Sequence, residues 1–478
     1  MADRPVNPLG DLPPDELRAV MHQAADKVAD YLAGVGELPV LPPTQPGDVA
    51  RALPSAPPAS PEPMDAVLAD FDRLVVPNNT QWNHPAFFAY IAITASAPGI
   101  VGETLAAALN VNAMLWRTSP VATELEERVC DWVRQMMGLP EGFRGHMNDT
   151  ASIGVLLALA AARDRAVPDV RDRGLQGAPQ LAVYTSDQAH SSLDKAAITL
   201  GLGLHAVRRV PSDEAFRMDV AALRRAIEAD RAAGVVPLVV LATAGTTSTG
   251  SLDPLDAVAD AAEAAGAWFH VDAAYGGGAM VVPEVRAALP GIERADSVVV
   301  NPHKWLFTPV DCSILLLRAP ERLKAAFSLV PPYLATTEAG VTNLMDYGPQ
   351  LGRRFRALKL WMVLRAFGVD GIRERIAAHL ALARQLAGWV DADAGFVRVA
   401  PVTLGIVAFR ALSGAGDEAD DALNRRVRRG EPARAGVPVH VGAAGAHRAA
   451  RRRGEPADHG GARAARVDEV REVAAAQR

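Results

Sequence analysis

The 478-residue chain is 49% hydrophobic and carries a formal net charge of −6. That length supports one large core with smaller satellites, and the mild acidity leaves no global basic field for nucleic acid or anionic membranes. That charge balance favours a small-molecule substrate over a polymer, and two cysteines, Cys130 and Cys312, fit neither a disulfide framework nor a cysteine-rich metal site, so a reducing cytoplasm and no metal are expected.

In chain order, residues 12–34 carry Leu17, Val20, Met21, Ala24, Val28, Tyr31 and Leu32 at helical spacing, after Asp11, Pro13 and Pro14 as start signals. A lone amphipathic helix needs a second surface to cover its apolar stripe, and a partner subunit is the expected source. Residues 38–63 are rich in Pro, Ser and Gly and predict an extended connection. The opening MADRPVNPLG lacks the basic start and apolar run of a signal peptide, and no later run spans a membrane without interruption.

Between about 85 and 320, short apolar runs alternate with helical stretches. LAVYTS at 181–186, PLVVLATA at 237–244, AWFHVDAAY at 267–275 and SVVVN at 297–301 predict buried strands. Residues 153–163, 221–233, 255–266 and 283–288 predict helices. This alternation predicts an α/β fold with a mainly parallel sheet and helices on both faces. Ligands of such sheets bind at the carboxyl ends of the strands, which gathers His190, Thr247, Asp272 and Lys304 on one rim. Residues 351–390 are helix-rich, and 396–411 begin a smaller α/β unit.

The character changes after Asn424. Residues 425–478 hold 13 Arg and 6 Asp or Glu, a local formal charge of +7, and no Leu, Ile, Phe, Tyr or Trp. Such a segment cannot supply a packed face and is expected to be disordered or the product of a reading-frame change. A basic nucleic-acid tail is disfavoured, because no recognition scaffold is interleaved with the arginines.

NPHKW at 301–305 puts a lysine where an apolar stretch begins. Chemistry on an aldehyde cofactor needs an amine for a Schiff base, an acid opposite the pyridine nitrogen, an anion-binding turn and packing on the ring. Lys304, Asp272, residues 150–152 and His190 are of the right types. Taken singly each has an ordinary structural use: a turn cap for Asp272, a core histidine for His190, turn threonines in GTTSTG at 245–250.

Taken together and in order, HPAFFAY (84–90), SPVATELE (119–126), NDTAS (148–152), SDQAHSS (186–192), ATAGTTSTG (242–250), HVDAAYGG (270–277), NPHKW (301–305) and LGRRFRALK (351–359) resemble the pyridoxal-phosphate-dependent group II amino-acid decarboxylases, especially the aromatic-L-amino-acid decarboxylase branch. The resemblance spans roughly residues 10–420. It implies a fold-type I transferase-like architecture with an N-terminal helical dimerisation segment (1–84), a large pyridoxal-phosphate domain (85–375), the start of a small, incomplete C-terminal domain (376–424) and the atypical tail (425–478). A homodimer is expected.

The resemblance makes Lys304 the Schiff-base lysine, Asp272 the partner of the ring nitrogen, His190 the residue stacked on the ring and Ala274 the packing on its other face. Ala151, Ser152, Asn301 and His303 become phosphate contacts, Thr247 a neighbour of the substrate carboxylate, and Tyr333 the proton donor of a mobile loop. Retention of Tyr333 favours an amine product over an aldehyde, because related aldehyde synthases commonly carry phenylalanine there. Trp82, Phe87, Phe88 and Tyr90 keep part of the family's aromatic pocket, whereas Ile91-Ala92 and Met114 replace residues usual in it. Tyrosine, dihydroxyphenylalanine, phenylalanine and tryptophan all stay open as substrates. The rival expectations are an aldehyde synthase and a noncatalytic, cofactor-binding dimer protein compromised by its altered end.

Overall fold

A computed structural model describes residues 11–91, 93–329, 338 and 340–429, and the backbone alone over 425–429. The chain divides into one compact unit up to Phe87 and a second from Phe88 onward.

The first unit is helical. Helix α1 (Pro14–Gly34) begins after Pro13, with Pro14 in its first turn and Asp15 and Glu16 beside the N-terminal end of the helix dipole. Lys27 on α1 pairs with Asp72, and Tyr31 donates to Gln81 at 2.9 Å. The Pro-rich connection departs from the extended expectation: α2 (Asp48–Ala52) forms one short helix within it, closed by an Asp48–Arg51 ion pair. Helix α3 (Met64–Asp70) follows.

The second unit is built on seven strands: β1 (Arg144–Asn148), β2 (Leu181–Ser186), β3 (Val207–Val210), β4 (Val236–Thr243), β5 (Trp268–Asp272), β6 (Ser297–Val300) and β7 (Ser313–Leu317). Their order is β1-β7-β6-β5-β4-β2-β3. The pairs from β6 through β3 are parallel, while β7 runs antiparallel to both β6 and β1. The sheet is therefore mainly parallel and of the fold-type I kind, with one reversed strand that brings the chain back beside β6.

Helices α4 (Ala97–Leu109), α5 (Pro120–Met137), α6 (Ala151–Ala166), α7 (Val170–Arg173), α8 (Ser192–Thr199), α9 (Val220–Ala232), α10 (Leu255–Ala265), α11 (Pro283–Ala287), α12 (Pro302–Trp305) and α13 (Glu321–Phe327) alternate with these strands. Both sheet faces are covered, and the strands show why their sequences are apolar throughout. Val240 and Ala242 of β4 and Phe269 and Val271 of β5 enter one core cluster, and their neighbours Val239, Leu241 and Trp268 enter another. Gly154 lets α6 close on the sheet, since a Cβ there would stand 2.8 Å from Val299.

Helix α14 (Ala357–Asp391) is broken at Gly368, whose φ of 64° lies outside the helical region. Beyond it, β8 (Phe396–Arg398) and β9 (Phe409–Ala411) form an antiparallel pair, and α15 (Asp417–Arg429) packs Leu423 into a third cluster with Val390, Phe396, Val407 and Ala411. No helix among the described residues is long and apolar enough to cross a membrane.

Candidate active site

Five strand-to-helix junctions carry the candidate residues. After β1, Thr150 caps α6, and its carbonyl accepts from the N–H groups of Ile153 and Gly154. Ala151 and Ser152 thus open a sixteen-residue helix, whose first-turn N–H groups and dipole favour an anion.

His190 follows β2 at an exposed position. Its Nδ1 accepts from the Ser192 N–H at 3.1 Å, so the ring is neutral with Nε2 carrying the proton. Partial desolvation of the ring holds its pKa below the ordinary value, and the Asp272 carboxylate partly offsets this.

Thr247 is exposed on the turn after β4. Beneath it Thr246, Thr249 and Ser251 form a buried hydroxyl chain at 2.9 and 2.8 Å, which ends on the Ala215 carbonyl. The same turn is anchored by Asp253, which accepts from the N–H groups of Thr243 and Met218.

Asp272 ends β5 and is 7% exposed. It accepts from the Ala274 N–H at 3.0 Å, which leaves carboxylate lone pairs for a second donor. Behind it on the same strand, His270 shares the Ser297 hydroxyl with Trp268 Nε1, each at 2.8 Å. Full burial pushes the His270 pKa down to about 4, so this imidazole is neutral.

Lys304 lies on the one-turn helix α12 after β6, its backbone N–H bonded to the Asn301 carbonyl at 2.9 Å. Desolvation lowers the pKa of its amine, with Asp272 opposing, which raises the fraction of free nucleophile. His303 is buried and accepts at Nδ1 from the Cys312 N–H at 3.0 Å. Its pKa is pushed down to about 4 by burial and then by Lys304, so the ring can donate only through Nε2. Ala274 is joined to this turn by the Asn301 N–H, which donates to its carbonyl at 3.1 Å.

The expected residues therefore fall on one rim, and Asp272, Lys304 and His190 are close enough to influence one another's charge. Tyr333 lies outside the described residues. Sequence reasoning missed His270 and Ser297, which were visible only as members of apolar strands. It also missed Trp305, Tyr275 and His379, whose rings pack behind Lys304. A cavity of about 780 Å³ that includes Glu124, Arg128, Asp131, His146 and Tyr347 opens at the Arg144 end of β1, away from this rim.

The rim suits a phosphorylated pyridine aldehyde. Buried polar atoms without a partner cluster at the strand ends: Ser186 Oγ on β2, Thr243 Oγ1 on β4 and Asn301 Oδ1 after β6. A half-buried amine, a carboxylate, a neutral imidazole and a helix N-terminus around them match the donor and acceptor needs of such a molecule.

The sequence matches the family model for the pyridoxal-dependent decarboxylase conserved domain over residues 46–412. It is 39% identical over 434 residues to tryptophan decarboxylase 1 of Oryza sativa subsp. japonica, covering 86% of this chain and 84% of that one. It is also 39% identical over 410 residues to phenylacetaldehyde synthase of Petunia hybrida, covering 84% and 80%. The crystal structure of Oryza sativa TDC with PLP and tryptamine superposes with a TM-score of 0.90 at 35% identity, covering 98% of this chain and 99% of that one.

Proposed function

The chain belongs to the pyridoxal-dependent decarboxylase family, and from that premise we propose that it converts an aromatic L-amino acid into its amine and carbon dioxide. It uses pyridoxal phosphate and acts on aromatic amino acids as a class. The observation that carries the reading is the meeting of Lys304, Asp272 and His190 at the carboxyl ends of the parallel strands β6, β5 and β2, with β4 lying between the last two.

When bound, the cofactor supplies an aldehyde for the substrate amine and a ring that accepts the electron pair released with carbon dioxide. Lys304 would be the amine that holds the cofactor through its aldehyde, a role its lowered pKa favours. Asp272 keeps a proton on the ring nitrogen. His190 and Ala274 would flank the ring, and neutral His190 would add no cation to compete with that proton. The N–H groups of Ala151 and Ser152, the Asn301 side chain and the His303 Nε2–H hold the phosphate. Thr247 meets the substrate carboxylate, and Tyr333 delivers a proton to the α-carbon.

Tyr333 also supports the amine as product, although relatives include both a decarboxylase and an aldehyde synthase. Tryptophan, tyrosine, dihydroxyphenylalanine and phenylalanine are the substrates to try, because Met114 and the aromatic set of Phe87, Phe88, Tyr90 and Trp82 favour an apolar side chain. A homodimer is supported by exposed Leu17, Met21, Val28 and Leu32 along α1. The proposed division is a dimerisation segment to residue 84, a cofactor domain over 85–375 and a small domain from 376. Free, buried Cys130 and Cys312 support a cytoplasmic setting.

Incubating cofactor-loaded protein with a panel of L-amino acids and identifying products by mass spectrometry tests the function. An aromatic amine with carbon dioxide is expected. Aldehyde as the main product supports the synthase instead, and a cofactor band without turnover supports the noncatalytic rival.

A further inference from the structure

Trp305 directly follows Lys304, and Tyr275 directly follows Ala274. Their rings stack in parallel, with centroids 4.6 Å apart and planes 2° apart. The indole is also within 9° of the His379 imidazole plane, and its Nε1–H donates to His379 Nδ1 at 2.9 Å. Phe307 packs edge-on against that imidazole at 5.9 Å. His379 is 1% exposed and stands on α14 beyond the break at Gly368. The stack is closed by Gly405, where a Cβ would come within 2.7 Å of the Tyr275 hydroxyl and 3.2 Å of the indole.

Two turns of the site are thus tied to each other by ring stacking and to α14 by a buried hydrogen bond. We propose that His379 is a positioning residue, which sets the height and tilt of the Lys304 turn through Trp305. The proposal rests on Lys304 carrying the cofactor. An indole N–H left unpaired in a dry interior costs free energy, and movement of the indole toward another acceptor moves its neighbour in the chain.

The holoenzyme and two variants test this by the cofactor's visible absorbance and circular dichroism across pH. His379→Phe keeps a planar ring without the acceptor, and His379→Asn restores an acceptor near the Nδ1 position. In His379→Phe the midpoint pH of the cofactor band is expected to move by about half a unit or more, with a clear loss of visible dichroism. His379→Asn is expected to restore both. Unchanged spectra in His379→Phe, or equal shifts in both variants while far-ultraviolet dichroism stays native, would overturn the role. Absence of a cofactor band in the unaltered protein would sink the assignment of Lys304 instead.

A different observation concerns the tail. Residues 425–478 use only Ala, Arg, Gly, Val, Pro, Glu, Asp, His and Gln. Every one of these types has codons that begin with G or C. Among residues 1–424, 97 are Met, Ile, Phe, Tyr, Trp, Cys, Ser, Thr, Asn or Lys, whose codons all begin with A or T. At that frequency about twelve would fall in a 54-residue segment, and none does.

Saturation with G or C belongs to the third, degenerate codon position of a G+C-rich gene. We infer that the frame shifts by one nucleotide within a few codons after Asn424, so that the selected codons start at the second base of each codon read here. In that frame each Val codon yields one beginning with T, and each Asp, Glu, His or Gln codon yields one beginning with A. These starts encode Phe, Tyr, Trp, Ile, Met, Ser, Thr, Asn and Lys, the types the tail lacks. The last well-packed apolar side chain before the change is Leu423 on α15.

Resequencing the gene decides this. The G+C-rich codon position is expected to pass from third before codon 424 to first after it, and the intact mass of protein from its native source should match the shifted product. Third-position enrichment continuing to codon 478, or a mass equal to that of the present sequence, would overturn the inference.

Discussion

Arg353 donates through Nη2 to Glu126 at 2.9 Å, and both side chains are only 2% exposed. The pair also satisfies both backbone groups of Met147: Glu126 accepts its N–H at 2.9 Å and Arg353 donates to its carbonyl at 2.6 Å. Met147 belongs to β1, four residues before Ala151. The ion pair therefore fixes the strand that delivers the proposed phosphate turn.

Removing one partner leaves a buried charge uncompensated. Glu126→Gln keeps an acceptor for Met147 but not the charge, and a loss of about 3–5 kcal/mol is expected from chemical denaturation. Cofactor retention should weaken with it, measured by equilibrium dialysis.

Lys304→Ala removes the amine without altering the Asn301 and His303 contacts. Turnover is expected to fall by at least about a thousandfold, and the absorbance of lysine-bound cofactor should vanish from the spectrum. Residual noncovalent binding is compatible with the phosphate turn. Near-normal turnover would remove Lys304 from the site.

Asp272→Asn replaces the charge while preserving an acceptor for the Ala274 N–H. A fall in kcat of about a hundredfold or more is expected, with melting temperature nearly unchanged, because the lost contribution acts on charge developing in the ring. Steady-state kinetics with a thermal melt separates this from misfolding.

Tyr333→Phe tests the proton donor. Amine yield is expected to fall by about a hundredfold, with aldehyde, oxygen uptake and ammonia appearing in its place. Product analysis under air and under nitrogen measures both routes.

Acid should destabilise the protein between about pH 6.5 and 4. The folded pKa values of His270 and His303, each about 4, lie below the ordinary 6.5, so the unfolded chain binds more protons in that window. Their stabilisation is fully present above pH 6.5 and is lost as pH falls, by up to roughly 3 kcal/mol each. Asp253 works the other way: burial raises its pKa to about 6, so its contribution is present below about 3.8 and is lost as pH rises through 6. Two histidines against one carboxyl leave a net fall in melting temperature on acidification. Asp253→Asn should steepen it, as a pH series of thermal melts will show.

The sequence made the parallel strands legible because β2, β4, β5 and β6 are buried on both faces and carry almost no polar interruption. It hid β1, whose RGHMN has no apolar run, and the reversal of β7, since an apolar strand reads the same in either direction. Short helix α2 was obscured by surrounding prolines, which mark breaks better than the turns between them. At the site, motif order located Lys304 and Asp272. The supports behind them come from distant residues: His379 is 74 positions from Trp305 and Ser297 is 27 from His270, and local patterning carries no signal for such pairs.

Each of the five junctions is held in place by a different strand register. A one-residue slip in β2 would withdraw His190 and leave the groups after β1, β4, β5 and β6 where they are. Damage to this catalyst should accordingly be graded by junction: a variant can keep the phosphate cradle and lose the lysine, or keep the lysine and lose the acid. If the proposed dimer forms, mixing such half-competent variants within it would test whether its two sites work independently.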